Sequence, residues 1–467
     1  ILVQLPNWRE FVALAVAAEI SGVVFSFCPI QWGPRETLRA LELIRPALWF
    51  TTAKPPAAID RSDLIARALR NADGGLSAIL LRSGAQAGAF SIEDWLVTMR
   101  EGNRHAEMAE ASGQSPLEIA VTSGSTGDPK GVLHVHDTAL ATVESTVRRQ
   151  QIGVSDVVHV AIPLGHTFGY FYGMRCAMQA GGAVVLQERW DPHRMVELVE
   201  AHQVTVSLGP SAFVLDLAEC ADRYRPTLER MRLFTHAGDS LPAPIARRVL
   251  QQLPFRISRA FGLTEFGHVA STDSDTPANC LVDSVGAPQP EMEFRIVDDA
   301  GARLPAGAEG RLLLRGPFAF AGYLTAGALN QEVFDPDGFY DTGDLGFLDR
   351  ENCLHISGRV KNVIRRGAET VPTAELEDII SSLPQVMHAV VVGMPDARLG
   401  EVPVACVQVR KGESIAMSDL ARLFESSGMT RRFWPSAIRI VESWPVGATG
   451  KIDRKALLEK ILEKSSR

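Results

Sequence analysis

A chain of 467 residues, 46% of them hydrophobic and 22% charged, is globular in composition and long enough for at least two domains. Its 55 acidic and 47 basic side chains leave a net charge of −8, which offers nothing to attract nucleic acid or an anionic membrane surface. No apolar run reaches the roughly 20 residues of a membrane span, and no basic segment with a cleavage site opens the chain. Six cysteines lie far apart without CxxC spacing; this argues against a zinc site or disulfide framework and for a reducing cytoplasm.

Residues 3–5 read as a short strand, followed by a helix with Phe11, Leu14, Ala15 and Ala18 on one face. Residues 23–27 read as a buried strand and 34–43 as a helix, an alternation that predicts a mainly parallel α/β sheet. The apolar run Ile119-Ala120-Val121 ends a further strand, and behind it stands Thr122-Ser123-Gly124-Ser125-Thr126-Gly127-Asp128-Pro129-Lys130-Gly131. Glycines let backbone N–H groups close on an anion, hydroxyls add donors or meet a metal, and Lys130 supplies a mobile charge. The Walker A order, Gly before the Lys and Ser or Thr after it, is absent. A surface Gly/Ser linker is the alternative reading.

This loop resembles the phosphate-loop signature of the adenylate-forming enzymes, which include acyl-CoA synthetases, peptide-synthetase adenylation domains and luciferases. Further motifs follow in that family's order. A predicted strand at 157–161 leads into Pro163-Leu164-Gly165-His166-Thr167-Phe168-Gly169-Tyr170-Phe171, a loop at a strand's carboxyl end where α/β folds bind ligands. The resemblance makes it the acyl-pocket wall, with His166, Phe168, Gly169 and Phe171 facing the acid. The family's amino-acid-activating members carry an Asp here for the substrate ammonium; this segment has none, so a non-amino acid is expected.

After predicted strands at 204–208 and 233–235 comes His236-Ala237-Gly238-Asp239-Ser240. It departs from the family's two glycines and Ala-Pro but is expected to touch adenine through Gly238 and Asp239 and the acyl group through His236. Ala260-Phe261-Gly262-Leu263-Thr264-Glu265 matches the aromatic-Gly-x-Thr-Glu motif: Phe261 to stack on the purine, Gly262 to admit close approach to nucleotide and acid, Thr264 and Glu265 as hard oxygen ligands. The resemblance gives Mg²⁺ to Thr126 and Glu265. Short alternating runs over 290–360 predict an antiparallel subdomain. It ends in Tyr340-Asp341-Thr342-Gly343-Asp344 and then Arg359, which match the ribose-binding Asp and the ribose- and phosphate-contacting Arg. Lys361 falls at the family's hinge and Gly367 along its coenzyme A channel. Lys451, in Thr449-Gly450-Lys451, matches the catalytic lysine.

The resemblance therefore implies an α/β core over 1–360 with a β-rich part at about 285–360, and a mobile α+β lid over 361–467. Measured against the family, an N-terminal segment is expected to be missing. The expected reaction is ATP- and Mg²⁺-dependent formation of an acyl-AMP, with Lys451, Glu265, Thr126 and His166 at the chemistry and residues 122–127 with Lys130 on the phosphates. Transfer to coenzyme A follows, that thiol being expected because the sequence closes soon after the lid. The acid is expected to be alicyclic, aromatic or medium-chain, with a ring acid first. A stand-alone loader of a carrier protein is the alternative, and a silent ligand-binding homologue the reading outside enzymes.

Overall fold

In the computed structural model of the chain, the described residues are 1–467 except 56–59, 73, 87, 102–109, 124–128, 240, 326–327, 331–332, 361–363, 367–368, 372, 397–398, 430, 448–450 and 466–467. Among them the strands form four sheets, of nine, seven, four and five strands.

The alternation of apolar runs and amphipathic helices early in the chain builds the first sheet. Leu2–Val3 is central, flanked in parallel by Phe25–Phe27 and Leu48–Thr51, with Ser77–Leu80 and Phe90–Ser91 continuing on one side and Pro116–Ser123 on the other. Helices Arg9–Ile20 and Pro34–Ile44 follow the first two parallel strands in sequence, as parallel crossovers require. Pro129–Val135 folds back antiparallel onto Pro116–Ser123, pairing Lys130 with Thr122. Gly322–Thr325, from the stretch read as antiparallel subdomain, adds to this edge rather than to the smaller sheet.

The second sheet runs parallel through Ala183–Leu186, Val157–Val160, Val206–Gly209, Leu233–Ala237 and Arg256–Leu263, then turns antiparallel. One apolar cluster, with Phe11, Phe27, Val160, Tyr170 and Phe234 among its members, is shared by both large sheets. Buried Asn7 ties them together: its Nδ2 donates to the carbonyls of Ile162 and Gln187 at 2.9 and 3.1 Å, and its Oδ1 accepts from Leu164 N–H at 2.7 Å. The chain leading to His166 is thereby pinned to the first sheet.

The segment read as a pocket loop is helical from Phe168 to Arg175, as a π-helix that runs into Cys176–Gln179. Gly165, Gly169 and Gly173 recur at helical spacing, and a Cβ at each would lie 2.4–2.7 Å from the Cys28 carbonyl, the Pro163 carbonyl or the Val160 side chain respectively. The helix can press this closely because those positions carry no side chain. At its end Arg175 reaches buried Glu118 at 3.5 Å and Glu19 at 3.2 Å.

Glu293–Val297, Gly310–Arg315, Tyr340–Leu348 and Leu354–Arg359 form the antiparallel four-stranded sheet. The carboxyl-terminal part has its own five-stranded sheet, helices Thr373–Ser381 and Met417–Ser426, and a separate core around Leu376, Val391 and Phe424. No helix among the described residues is long and apolar enough to cross a membrane.

Candidate active site

A cavity of about 640 Å³ opens at the carboxyl ends of the parallel strands. Thr122, His166, Ala237, Gly238 and the run Gly262–Glu265 reach it from the two large sheets. Tyr340, Thr342, Gly343 and Arg359 face it from the four-stranded sheet, and Lys451 enters from the carboxyl-terminal part.

One wall is a chain of aromatic and charged groups. The Lys130 ammonium stands 4.7 Å from the centre of the Tyr323 ring. The Tyr323 hydroxyl donates to a carboxylate oxygen of Glu265 and lies 2.8 Å from the Tyr340 hydroxyl. Burial, then the neighbouring Glu265 charge, pushes the Tyr323 hydroxyl above its ordinary pKa and keeps it a donor. Tyr323 comes to Lys130 because Gly322–Thr325 pairs with Pro129–Val135.

On the same four-stranded sheet as Tyr340, Arg359 donates from Nε to Asp344 Oδ1 at 2.7 Å, the two residues being partners across adjacent strands. Asp344 is 3% exposed, and its second oxygen, Oδ2, has no partner among the described residues. Burial raises its pKa while the Arg359 charge opposes the rise. A buried carboxylate oxygen without a donor is costly, and a ligand hydroxyl would relieve that cost.

Lys451 lies against Gly238: a Cβ built there would sit 2.4 Å from Cε and 2.9 Å from Nζ, and the residue has a φ of +99°. Burial lowers the Lys451 pKa, and the Asp239 charge works against that. Asp239 Oδ1 accepts from Ser211 N–H and Oγ–H, each at 3.0 Å, and from His236 Nε2 at 3.2 Å. Burial tends to raise the Asp239 pKa, but the His236 contact, the Ser211 N–H and Lys451 bring it below its ordinary value.

The apolar end is built by His166, Phe168, Tyr172 and Gly262. His166 Nδ1 accepts from the Phe168 N–H at 3.1 Å, and burial, reinforced by the Lys451 charge, pushes its pKa down to about 3. The ring is therefore neutral, with its proton on Nε2. The Phe168 and Tyr172 rings meet edge to face at 5.2 Å. The Tyr172 hydroxyl abuts Gly262, where a Cβ would come within 2.1 Å of it and 2.3 Å of the Gly267 carbonyl.

Several residues singled out from sequence lie elsewhere. Phe171 is buried edge-on against His134, and Gly169 packs against the carbonyls beneath the π-helix. Phe261 contributes to the apolar cluster of the four-stranded sheet and Ala260 to the main core. His236 stands behind Asp239, bonded to Ser211 Oγ at 3.0 Å. Ser123 ends its strand, while Gly124, Ser125, Thr126, Gly127, Lys361 and Gly367 lie outside the described residues. The sequence reading missed Tyr323, an isolated aromatic with no spacing cue.

The AMP-binding enzyme family matches residues 1–324, and the AMP-binding enzyme C-terminal domain matches residues 375–451. Over 465 residues the chain is 29% identical to the medium-chain fatty-acid–CoA ligase of Escherichia coli (strain K12), covering 99% of this chain and 81% of that one. It is also 29% identical over 471 residues to the 2,3-dihydroxybenzoate-AMP ligase of Bacillus subtilis (strain 168), covering 99% and 84%. The ATP-bound crystal structure of MatB from Rhodopseudomonas palustris superposes with a TM-score of 0.84 at 24% identity, over 98% of this chain and 88% of that one.

Proposed function

The chain belongs to the family of AMP-binding enzymes, and from that premise we propose that it activates a non-amino carboxylic acid with ATP and passes the acyl group to coenzyme A. The observation that carries this reading is the convergence of Lys130, Glu265, Arg359 and Lys451, remote in sequence, on one cavity.

In the first half-reaction a carboxylate oxygen of the acid attacks the α-phosphorus of ATP. The bond to pyrophosphate breaks and an acyl-AMP forms. Lys130 and the loop 122–127 meet the departing phosphates. Asp344 Oδ2 accepts from a ribose hydroxyl, and Arg359, already bound to Oδ1, holds that carboxylate in place. Lys451 offsets the negative charge that grows at the α-phosphate, a contribution of several kcal/mol in a site that excludes water. Glu265 and Thr126, with the Thr264 hydroxyl nearby, suit Mg²⁺ as hard oxygen donors, and the bound ion would supply counter-charge to the phosphates. In the second half-reaction the lid turns near Lys361 and Lys451 withdraws. The sulfur of coenzyme A, entering along Gly367, attacks the acyl carbon; AMP leaves and the thiol proton passes to solvent. Positioning and fixed charge do the work, with no covalent bond to the protein.

The walls given by His166, Phe168, Tyr172 and Gly262 suit an apolar acid with one polar handle, alicyclic, aromatic or medium-chain. The two relatives compared are named for acids at the medium-chain and aromatic ends of that range. The B. subtilis relative is named as an AMP ligase with no mention of coenzyme A, and a second reading gives the acyl group to a carrier-protein thiol.

The test is ATP-dependent pyrophosphate release across a panel of acids, with and without coenzyme A. Release that depends on one acid class, with an acyl thioester formed only when coenzyme A is present, is the expected result. Release with no coenzyme A product would move the acceptor to a carrier protein. No release with any acid would remove the proposal.

A further inference from the structure

Away from the cavity, the fold joins cysteines whose spacing in sequence argued against a metal. Cys280 lies on the helix Ala278–Asp283, while Asp349 and Cys353 sit on the turn between the strands Tyr340–Leu348 and Leu354–Arg359. The two sulfurs and a carboxylate oxygen of Asp349 all lie within 4.8 Å of one another, and Cys280 Sγ is 3.7 Å from Asp349 Oδ2. Both cysteines are buried, at 1% and 2% exposure.

Zinc bonds of about 2.3 Å to sulfur and about 2.1 Å to oxygen, in a tetrahedron, put neighbouring ligand atoms roughly 3.5–3.8 Å apart. The Cys280–Asp349 separation already meets that, and the rest of the triad needs to close by no more than about 1 Å. The carboxylate is held from both sides. Oδ1 accepts from the Cys353 N–H at 2.8 Å, and Oδ2 accepts from His355 Nε2 at 2.8 Å. The His355 ring is fixed in turn by stacking on Phe347 at 4.5 Å, with the planes 4° apart. Partners that orient a ligating group in this way are the usual outer support of a metal site. A thiol is a weak hydrogen-bond donor and a poor companion for a carboxylate by itself, whereas two thiolates and a carboxylate suit Zn²⁺ better than Mg²⁺ or Ca²⁺.

We propose that Cys280, Cys353 and Asp349 bind one Zn²⁺ ion, with His355 as the residue that positions the carboxylate. Two Zn–S bonds form as two thiol protons leave to solvent. The ion pins the helix Ala278–Asp283 to the hairpin whose strands carry Asp344 and Arg359, beside the backbone bonds Val285 N–H to Leu354 carbonyl (2.9 Å) and Leu354 N–H to Gly286 carbonyl (2.8 Å). With three protein ligands the fourth position of the tetrahedron falls to water, and the ion is held independently of the acid activated.

The chain purified under reducing conditions, without chelator, should carry about one zinc per molecule by elemental analysis. Exchange for Co²⁺ should produce a thiolate-to-cobalt charge-transfer band. Cys280→Ser and Cys353→Ser should each abolish the band, and His355→Ala should weaken metal affinity about tenfold. The cobalt measurement on the unaltered chain needs no variant to fold. A folded chain without stoichiometric metal and without the band overturns the proposal, and so does a Cys280–Cys353 disulfide found by mass analysis. None of these readouts involves acid activation, so this proposal and the proposed reaction stand or fall separately.

Discussion

Lys451 occupies the cavity at a cost to its charge, because burial disfavours the ammonium there. The Asp239 charge offsets part of that cost, and negative charge arriving at an α-phosphate under attack offsets more of it. Lys451→Ala should therefore slow acyl-AMP formation by roughly 10²–10³-fold and leave thioester formation from supplied acyl-AMP within a few-fold of the unaltered chain. Both half-reactions can be followed separately by pyrophosphate release and thioester yield. Equal loss in the two would mean that Lys451 only supports the lid. Residues of this kind were legible in the sequence because charge, glycine and hydroxyl sit in a fixed order around them. Tyr323 was not: it bonds Glu265 and faces Lys130 only through a pairing between Gly322–Thr325 and Pro129–Val135, and an isolated tyrosine carries no mark of so distant a partner.

At the scale of elements, strands such as Phe25–Phe27, Val157–Val160, Val206–Gly209 and Leu233–Ala237 and the helix Pro34–Ile44 could be read from apolar periodicity, while the segment after Val160 could not. Its aromatics and glycines suggested a loop, yet Gly165, Gly169 and Gly173 allow a π-helix to settle on backbone carbonyls and on Val160. This packing sends the Tyr172 hydroxyl to Gly262, the residue at which strand Arg256–Leu263 slips register against its antiparallel neighbour. The wall proposed to face the acid is thus set jointly by helix and strand. Gly262→Ala would force its new methyl against both the Tyr172 hydroxyl and the Gly267 carbonyl. A tyrosine ring can turn aside, but a strand carbonyl cannot, so the variant should lose about 10²-fold in kcat/KM for the acid. Adding Tyr172→Phe should restore little of it, since the carbonyl remains. In the otherwise unaltered chain, Tyr172→Ala should deepen the pocket and raise the kcat/KM ratio of longer to shorter acids by about tenfold or more. An unchanged ratio would place the acid elsewhere.

In the proposed reaction the molecule holds its carboxyl-terminal part against the core in one half-reaction and releases it in the other, and Asp378 lies at a contact between the two parts. It stands on helix Thr373–Ser381 and accepts from the Ala243 N–H, at the start of core helix Ala243–Gln252, at 3.2 Å. Burial pushes its pKa up to about 6, although the Ala243 N–H and the Arg259 charge pull the other way. The raised value means that the docked arrangement favours the protonated acid. This contribution is fully present below the ordinary carboxylate range and is lost as pH rises through about 6. Solvent screening limits it to the order of 1–2 kcal/mol. Asp378→Asn keeps an oxygen to accept from Ala243 but removes the charge that docking must desolvate. At pH 8 the variant should adenylate several-fold faster relative to thioester formation than the unaltered chain, and the two should converge near pH 5. The ratio of the half-reaction rates, measured from pH 5 to 8, checks this. A ratio that stays pH-independent in both chains would mean that Asp378 does not set the docking balance. A larger ratio at pH 8 in the variant alone would show that a single half-buried carboxylate helps the molecule let go of its lid once the adenylate has formed.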